Sequence, residues 1–583
     1  MAKTRVLPGV EVSVVKEVVP PLPTPSGVVG IVGVTDAGPN RPTHVASYTE
    51  FKEIFGRASA YSMPEAKQVL QNGAFELVVV KVNDAQAAKA RVVLLDSDGA
   101  AAVILDARAT GSWGNDISVK VRENKEDTTV KSVDITVAHK DVVETFRNLV
   151  MKPPEDRKYL FDVINGESTL VTAIDARARV KVPGPLARAL IVEDGLILND
   201  VGAVPVLKLT PKQEGAGHEA EVILETDGTT TLKIYKSSGA RVPSNNYKEI
   251  SMDPDSDKYV VRSINEDSKS LVLAEDLPGG ITNFPAGIEE PVLLGNGEEI
   301  VSGLPNTPGR DPGKKEFNNA IDQLEGEPDV DAVLASLQKD GYEGVPDATP
   351  QIPPYAGDIH AHIASHCERM SKEAKNRIGF GTIKADDSGN IGLIKSKAAL
   401  LNSDRFVLLA PHGILGAVAG RIASLRYFDS PTFKRVLGIS ELEYYYSPSE
   451  LRQLVLGNVL VLELKRARGI IMEKGIATDG SQISVTRVAD HAVRETKKIA
   501  DLFIGTLHNA DNRMALKQRI IGMHTQMERE GAIVPSVDGT EPAFLVDVYA
   551  SQEDFAMGIC RVDIAVRPVR AIDYIYATIL VKI

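Results

Sequence analysis

The sequence predicts a multidomain α+β protein, with α/β texture toward both ends of the chain, β-rich modules inserted between them and an extended strand arm at each terminus. Three observations lead there. At 583 residues the chain exceeds what one hydrophobic core sustains, and a usual domain size of ~150 residues gives roughly three to five units. Residues 27–90 and 346–568 alternate strand-like and helix-like runs, whereas residues 91–345 read as short strands broken by Gly, Asn and Asp. Residues 1–26 and 569–583 each carry a strand with no neighbour to pair with.

Composition sets the outer bounds. With 43% hydrophobic and 25% charged residues, the chain has the apolar content of a folded protein. The balance of 66 basic against 79 acidic side chains, a net charge of −13, argues against the whole chain wrapping nucleic acid. Two cysteines, Cys367 and Cys560, make no disulfide framework and point to a reducing compartment. No run has the length of a signal sequence or of a membrane-spanning helix, so no direct membrane insertion is expected.

The N-terminal arm alternates Val10, Val12 and Val14 with Glu11 and Ser13, then stiffens into VVPPLPTPSG (residues 18–27), whose prolines favour polyproline geometry. GVVGIVGVTDAGP (residues 27–39) is an apolar strand. Ser47 and Glu50 form the capping-box pattern of a helix start, and the unbroken apolar run in residues 74–82 suits a buried strand. These assign residues 27–90 to the first part of a core domain.

Residues 91–180 and 181–345 read as two related β-rich modules, the second with a linker. MKPPEDRKYLFDVINGESTLVTAID, from Met151, aligns with MDPDSDKYVVRSINEDSKSLVLAED, from Met252, through Tyr159/Tyr259, Ile164-Asn165/Ile264-Asn265 and Ser168/Ser268. Two repeats are too few for a solenoid, so they read as tandem decoration. The Gly/Pro-rich stretch of residues 280–357 reads as linkers around one short helix near Phe317. Residues 346–568 form the second part of the core. There a strand is predicted at residues 405–409, a helix start at Ser447-Pro448-Ser449-Glu450, and a core-facing helix through Leu516, Ile520, Met523 and Met527 closed by Gly531. Residues 543–551 and 558–568 read as two strands. The last segment places Ile572, Tyr574, Tyr576 and Leu580 on one face against Ile575, Ala577, Ile579 and Val581 on the other. A strand apolar on both faces is an aggregation hazard unless something covers it, so a partner is expected to bury it.

At this point the chain resembles the contractile tail sheath proteins of bacteriophages and related contractile injection systems. The resemblance rests on LPGVEV (residues 7–12), the block of residues 28–82 with Phe51 and Phe55-Gly56, GSWGNDISVKV (residues 111–121) followed by residues 133–149, and the C-terminal blocks of residues 469–479, 484–505 and 558–579, in that order. It covers both ends and leaves residues 172–354 poorly matched. It implies a core domain built from both chain ends, outward inserted domains, and terminal arms that exchange strands with neighbouring subunits through Val10, Val12, Val14, Ile572, Tyr574, Ile575, Tyr576, Ile579 and Leu580. It further implies hexameric rings stacked into a helical homopolymer, with an inner tail tube, a baseplate and a tail terminator as partners. Assembly in a bacterial host cytoplasm into a virion tail or injection particle follows. Lys517, Arg519 and Glu528 are candidates to face the tube, with a solvated helix face the competing reading.

Other chemistry finds little support. GVVGIVG lacks the G-x-G-x-x-G spacing of a dinucleotide loop. His360, His362, His366 and Cys367 form the one ligand-rich cluster, but Ile359, Ile363, Cys367 and Met370 make an apolar stripe on the same helix, which favours packing over zinc. Trp113, in GSWGN, reads as a packed turn. No catalytic, cofactor or metal residue is assigned and no cofactor is expected. A metal-dependent enzyme using the His360 to Cys367 cluster, and a surface-binding protein acting through its β-modules, are the alternatives.

Overall fold

The computed structural model describes residues 27–573 apart from short internal stretches, the longest being residues 177–185, 278–291 and 338–356. Of the expected arm residues, Val10, Val12, Val14, Tyr574, Ile575, Tyr576, Ile579 and Leu580 lie outside the described residues.

The chain enters through β1 (Val28–Gly33), crosses β2 (Thr43–Val45) and three short helices, α1 (Tyr48–Phe55), α2 (Ser59–Ser62) and α3 (Pro64–Gln71), and returns in β3 (Glu76–Lys81), parallel to β1. Ser47 starts α1 by accepting from the Glu50 amide, while the Glu50 carboxylate accepts from Ala46 N (2.9 Å). Phe51 and Phe55, one turn apart, are fully buried beneath the sheet, each worth about 2–3 kcal/mol of burial.

The next element set is the first β-module: β4 (Arg91–Leu95), β5 (Ala101–Ala107), β6 (Ser118–Asn124), β7 (Ser132–His139), β8 (Val142–Leu149), α4 (Leu160–Glu167) and β9 (Val171–Asp175). A second module repeats it. After β10 (Leu186–Ile191) come β11 (Leu196–Asn199), β12 (Pro205–Pro211), β13 (His218–Leu224), β14 (Thr230–Tyr235), β15 (Asn245–Tyr247), α5 (Val260–Asn265) and β16 (Val272–Asp276). The three-stranded sheets β4-β5-β9 and β11-β12-β16 correspond, as do β6-β7-β8 and β13-β14-β15. The Asn of the aligned Ile-Asn pair does the same job twice: Asn165 brackets Ala173 (N–H to Oδ1 2.7 Å, Nδ2 to O 3.0 Å), and Asn265 brackets Ala274 (2.9 and 2.8 Å). The serine landmark does not carry over. Ser168 accepts from Val171 N, whereas in the second module Ser270, not Ser268, accepts from Val272 N.

The modules are nested rather than in plain tandem. Beyond the second module β17 (Val292–Leu293) returns to pair with β6 of the first. After a small hairpin of β18 (Glu299–Val301) and β19 (Leu304–Pro305), the Asn306 side chain accepts from Val93 N (2.8 Å) and Asp311 accepts from Ser112 N (2.7 Å). The first module also shares a hydrophobic cluster with Val34 and Ala58 of the core, and Tyr61 stacks on Trp113 with ring centres 6.1 Å apart. The second module has a cluster of its own.

The stretch expected as linkers around one short helix has that helix, α6 (Lys314–Asp322), and beyond it a core strand that was not expected, β20 (Val330–Ala335), which pairs parallel with β1. The chain continues through α7 (Gly357–Lys372), β21 (Ile378–Thr382), α8 (Ile391–Leu401), β22 (Phe406–Ala410), α9 (Leu415–Ser424), α10 (Pro448–Leu456), β23 (Leu460–Lys465) and β24 (Gly469–Met472). The result is an eight-stranded sheet in the order β2-β3-β1-β20-β21-β22-β23-β24, with antiparallel strands only at its two edges. Side chains alternate between two covered faces: Val29, Ile31, Leu77, Val79, Leu334 and Phe380 point toward α1, α3 and α9, and Val28, Val32, Val78, Val80, Val333 and Phe406 toward α6, α7, α8 and α10. Burial on both faces is why these strands read as unbroken apolar runs. Two long helices, α11 (Ile483–Asp501) and α12 (Ala510–Arg529), and a hairpin of β25 (Phe544–Tyr549) and β26 (Arg561–Val566) bridged by α13 (Gln552–Ala556) complete a multidomain α+β fold.

Candidate functional site

The part of the fold formed by α11, α12 and the β25–β26 hairpin includes the holding points of Gly27 and of residues 571–573, the described ends of the chain. The hairpin follows from period-2 alternation. Val546, Val548, Val562 and Ile564 pack on Ile499, Leu516 and Ile520, while Leu545 and Tyr549 face outward and are exposed. In α12 the buried positions are Leu516, Ile520, His524 and Met527, so His524 takes the place expected of Met523, which is only half-buried; Gly531 follows the helix at φ +74°. β25 and β26 pair with each other over six residues and with no other described strand. A bridge between Ile533 and Pro568 closes the hairpin's foot. The ribbon is supported by its packing on α11 and α12, and edges that no described strand covers are templates for added strands.

The described ends of the chain are both linked to α11, residues 571–573 directly and Gly27 through Asp331 of β20. At one end of that helix Gln482, its N-cap residue, donates from Nε2 to Ala571 O (3.3 Å) and Asp573 Oδ2 (2.8 Å), and accepts from Ala571 N (3.1 Å). Farther along, Arg494 pairs with Asp331 and donates to the Val330 and Asn376 carbonyls. Asp331 Oδ2 in turn accepts from Gly27 N (2.5 Å) and Val28 N (3.3 Å), at the start of β1. Between the two, both oxygens of Asp490 accept from Arg405 Nη1 (2.6 and 2.7 Å), and Oδ1 also accepts from Asn376 Nδ2 (2.7 Å). Burial holds the Asp490 carboxyl above its ordinary range despite the arginine beside it. A cavity of about 420 Å³ lies beside this network, with its charged groups engaged: Arg487 caps the Leu425 and Arg426 carbonyls at the end of α9, and Tyr427 donates to Glu530 (2.6 Å). Gln482, Arg494 and Asp331 were invisible to sequence reasoning, since each acts across 89 or more residues.

The sequence candidates fall as follows. Ile572 is 79% exposed, between the two residues that Gln482 holds, Ala571 and Asp573. Lys517 is paired with Asp547 of β25 (3.1 Å), and the Arg519 guanidinium lies over the Phe503 ring (5.4 Å), so both are engaged within the subunit. Glu528 is exposed. Arg519 lies about 200° around α12 from Lys517, so the three do not share a face.

The histidine cluster is a packed helix flank. Ile359, Ile363, Cys367 and Met370 are buried, the His360 ring lies against Phe406 (5.5 Å), and burial lowers the His360 pKa to about 3 and raises that of Cys367 to about 12. Asp322, Glu325 and His366 approach one another closely enough to suggest a cation site. The donor set does not fit one. Arg369 binds both carboxylates, and Arg377 donates to His366 Nε2 (3.1 Å), which leaves the imidazole proton on Nδ1, 3.6 Å from Asp322. A metal ligand needs that lone pair free.

Fold and site thus define a class: an α/β body interrupted by nested β-modules, with Ala571 held by α11 directly and Gly27 through Asp331, and a hairpin that pairs with no other described strand. No known family matches the sequence and no curated protein matches it. Among solved structures, it is similar to the sheath tail protein of Desulfitobacterium hafniense (12% identity, 92% of this chain and 93% of that one, TM-score 0.42). It is also similar to a sheath tail protein of Listeria innocua (13%, 94% and 92%, 0.42) and to the helical sheath of the anti-feeding prophage in its contracted state (14%, 46% and 77%, 0.35).

Proposed function

We propose that this chain is the structural subunit of a contractile tail sheath, polymerising as stacked hexameric rings around an inner tube and contracting to drive the tube through a target envelope. The observation that carries the reading is the β25–β26 hairpin, which pairs with no other described strand and lies in the same part of the fold as the roots of two segments whose sequences alternate as strands do. Residues 10–14 and 572–580 of neighbouring copies add to its edges. Main-chain hydrogen bonds then supply strength, and alternate side chains supply register. Contacts of this kind are heterologous, donor on one subunit and acceptor on the next, and generate open helices. The ordered sequence blocks that resemble sheath proteins support the same reading.

In this account the eight-stranded core is the assembling body, and the nested modules sit at the periphery. Core domains reorient during contraction while the arms keep neighbours linked, and the energy resides in subunit contacts with no nucleotide consumed. The inner tail tube, baseplate and tail terminator are the partners, and assembly takes place in the bacterial host cytoplasm. Ile575→Asp tests the reading. A carboxylate on a strand buried between subunits costs several kcal/mol without a partner, so soluble, folded monomer is expected to accumulate in place of polymer. Polymer at normal yield would refute strand exchange by this arm.

A further inference from the structure

We infer that α11 is a strut that fixes the roots of the two terminal segments relative to one another, with Gln482 and Arg494 as its positioning residues. The inference rests on the reading of those segments as inter-subunit arms, although its test does not. Gln482 and Arg494 lie twelve residues apart on one helix, which places the two anchors about 18 Å apart along its axis.

Each root is held on several sides. Gly27 donates to Asp331, and its carbonyl accepts from Phe75 N (2.9 Å). Its φ of +96° and the Ala423 carbonyl, 2.9 Å from where a Cβ would stand, admit only glycine. Ala571 has both its N–H and its C=O bonded to the single Gln482 side chain, which also reaches Asp573. A side chain that both donates to and accepts from one residue fixes that residue's orientation as well as its place. Between the anchors, Asp490 ties α11 to Arg405 and Asn376 at the leading ends of β22 and β21, so the helix is fastened to the sheet along its length. The consequence is mechanical. A displacement of either arm is delivered to α11 and through it to the other root, in place of peeling the root it started from. In a polymer linked through arms, this makes each subunit transmit the position of one neighbour to the next.

The experiment measures the distance between the roots in the isolated full chain. Spin labels go on Phe75→Cys, exposed and bonded through its amide to the Gly27 carbonyl, and on Ile572→Cys, in a Cys560→Ser background, with Cys367 fully buried. The parent is expected to give one narrow distribution. Gln482→Ala is expected to broaden it and to speed amide exchange at Ala571 about tenfold, the loss of roughly one hydrogen bond. The pair Ala489→Gly and Val493→Gly softens α11 between the anchors without touching either. It is expected to broaden the distribution while amides at Gly27, Val28 and Ala571 stay protected. A distribution as narrow as the parent's in either variant overturns the strut. Broadening in both, in a protein that never polymerises, would keep the strut and sink the sheath reading.

Discussion

The nested repeat offers one perturbation with two different consequences. Asn165 and Asn265 occupy equivalent positions and each makes two hydrogen bonds to a strand residue, at 2.7 and 3.0 Å and at 2.9 and 2.8 Å. At about 1 kcal/mol per bond, Asn→Ala removes about 2 kcal/mol at either site. The first module shares its hydrophobic cluster with Val34 and Ala58 of the core and is strapped at its base by Asn306 and Asp311, whereas the second has a separate cluster. Asn165→Ala should therefore weaken the larger unit, and Asn265→Ala the second module alone. For a unit of second-module size, 2 kcal/mol shifts the transition by about 8–16 °C; for the larger unit the shift is about 4–8 °C. Trp113 is the only tryptophan and sits in the first module's core, so its fluorescence reports one transition and peptide-resolved hydrogen exchange the other. Asn165→Ala should move the Trp113 transition. Asn265→Ala should leave it in place while exchange across β11 to β16 accelerates. An equal shift of the Trp113 transition by both variants would show that the modules melt as one, and the argument from separate clusters would fail.

Three further outcomes are expected. At Gly420 an added Cβ would stand 2.3 Å from the Val69 carbonyl oxygen, so Gly420→Ala forces α3 and α9 apart at about 1–3 kcal/mol; Gly522, in α12 with nothing within 4 Å, should gain about 1 kcal/mol as Ala, and denaturant melts that rank the two the other way would contradict the packing. His360 and His366 are buried with pKa values lowered to about 3 and about 4, so they are neutral in the folded state and take up protons on unfolding below pH 6.5. Their contribution is complete above that value and is lost as pH falls toward 4, by up to about 3 kcal/mol each. His360→Leu with His366→Gln should flatten the stability profile between pH 4.5 and 6.5, and an unchanged slope would show that other groups set it. Replacing residues 180–288 by a short Gly/Ser linker removes the second module from between β9 and β17, which both pair within the first; loop closure costs little, and the shortened chain should keep the parent's Trp113 transition.

The elements legible in the sequence were those specified locally. Ser447 and Glu450 do form a reciprocal capping box on α10, because all its partners lie within four residues. The two-face burial of β1 and β3 is written in their composition. The Tyr and Asn landmarks of the repeat carried through to matched strands and helices. What stayed hidden depended on distant partners. β20 was read as linker because the stretch around it is rich in Gly and Pro, and its Asp331 carboxylate finds its described partners, Gly27, Val28 and Arg494, far away in sequence. The nesting turns on β17, two residues long, too short to register as a strand before its pairing with β6 is known. In the candidate site the alternation of the hairpin was readable, whereas Gln482 and Arg494 are an ordinary glutamine and arginine until the fold brings residues 571 and 331 to them. Lys517 and Arg519 were chosen for charge alone, and both serve contacts within the subunit.

The central claim is that copies of this chain join through strands added to the β25–β26 hairpin. Electron microscopy of the purified full chain, beside a form ending at residue 573, tests it most directly. The account expects hollow helical tubes of uniform diameter from the full chain, with density for added strands along the edges of β25 and β26, and folded monomer from the shortened form. Tubes of normal yield and order from the shortened form, or a full chain that stays monomeric at every concentration and salt condition, would contradict it.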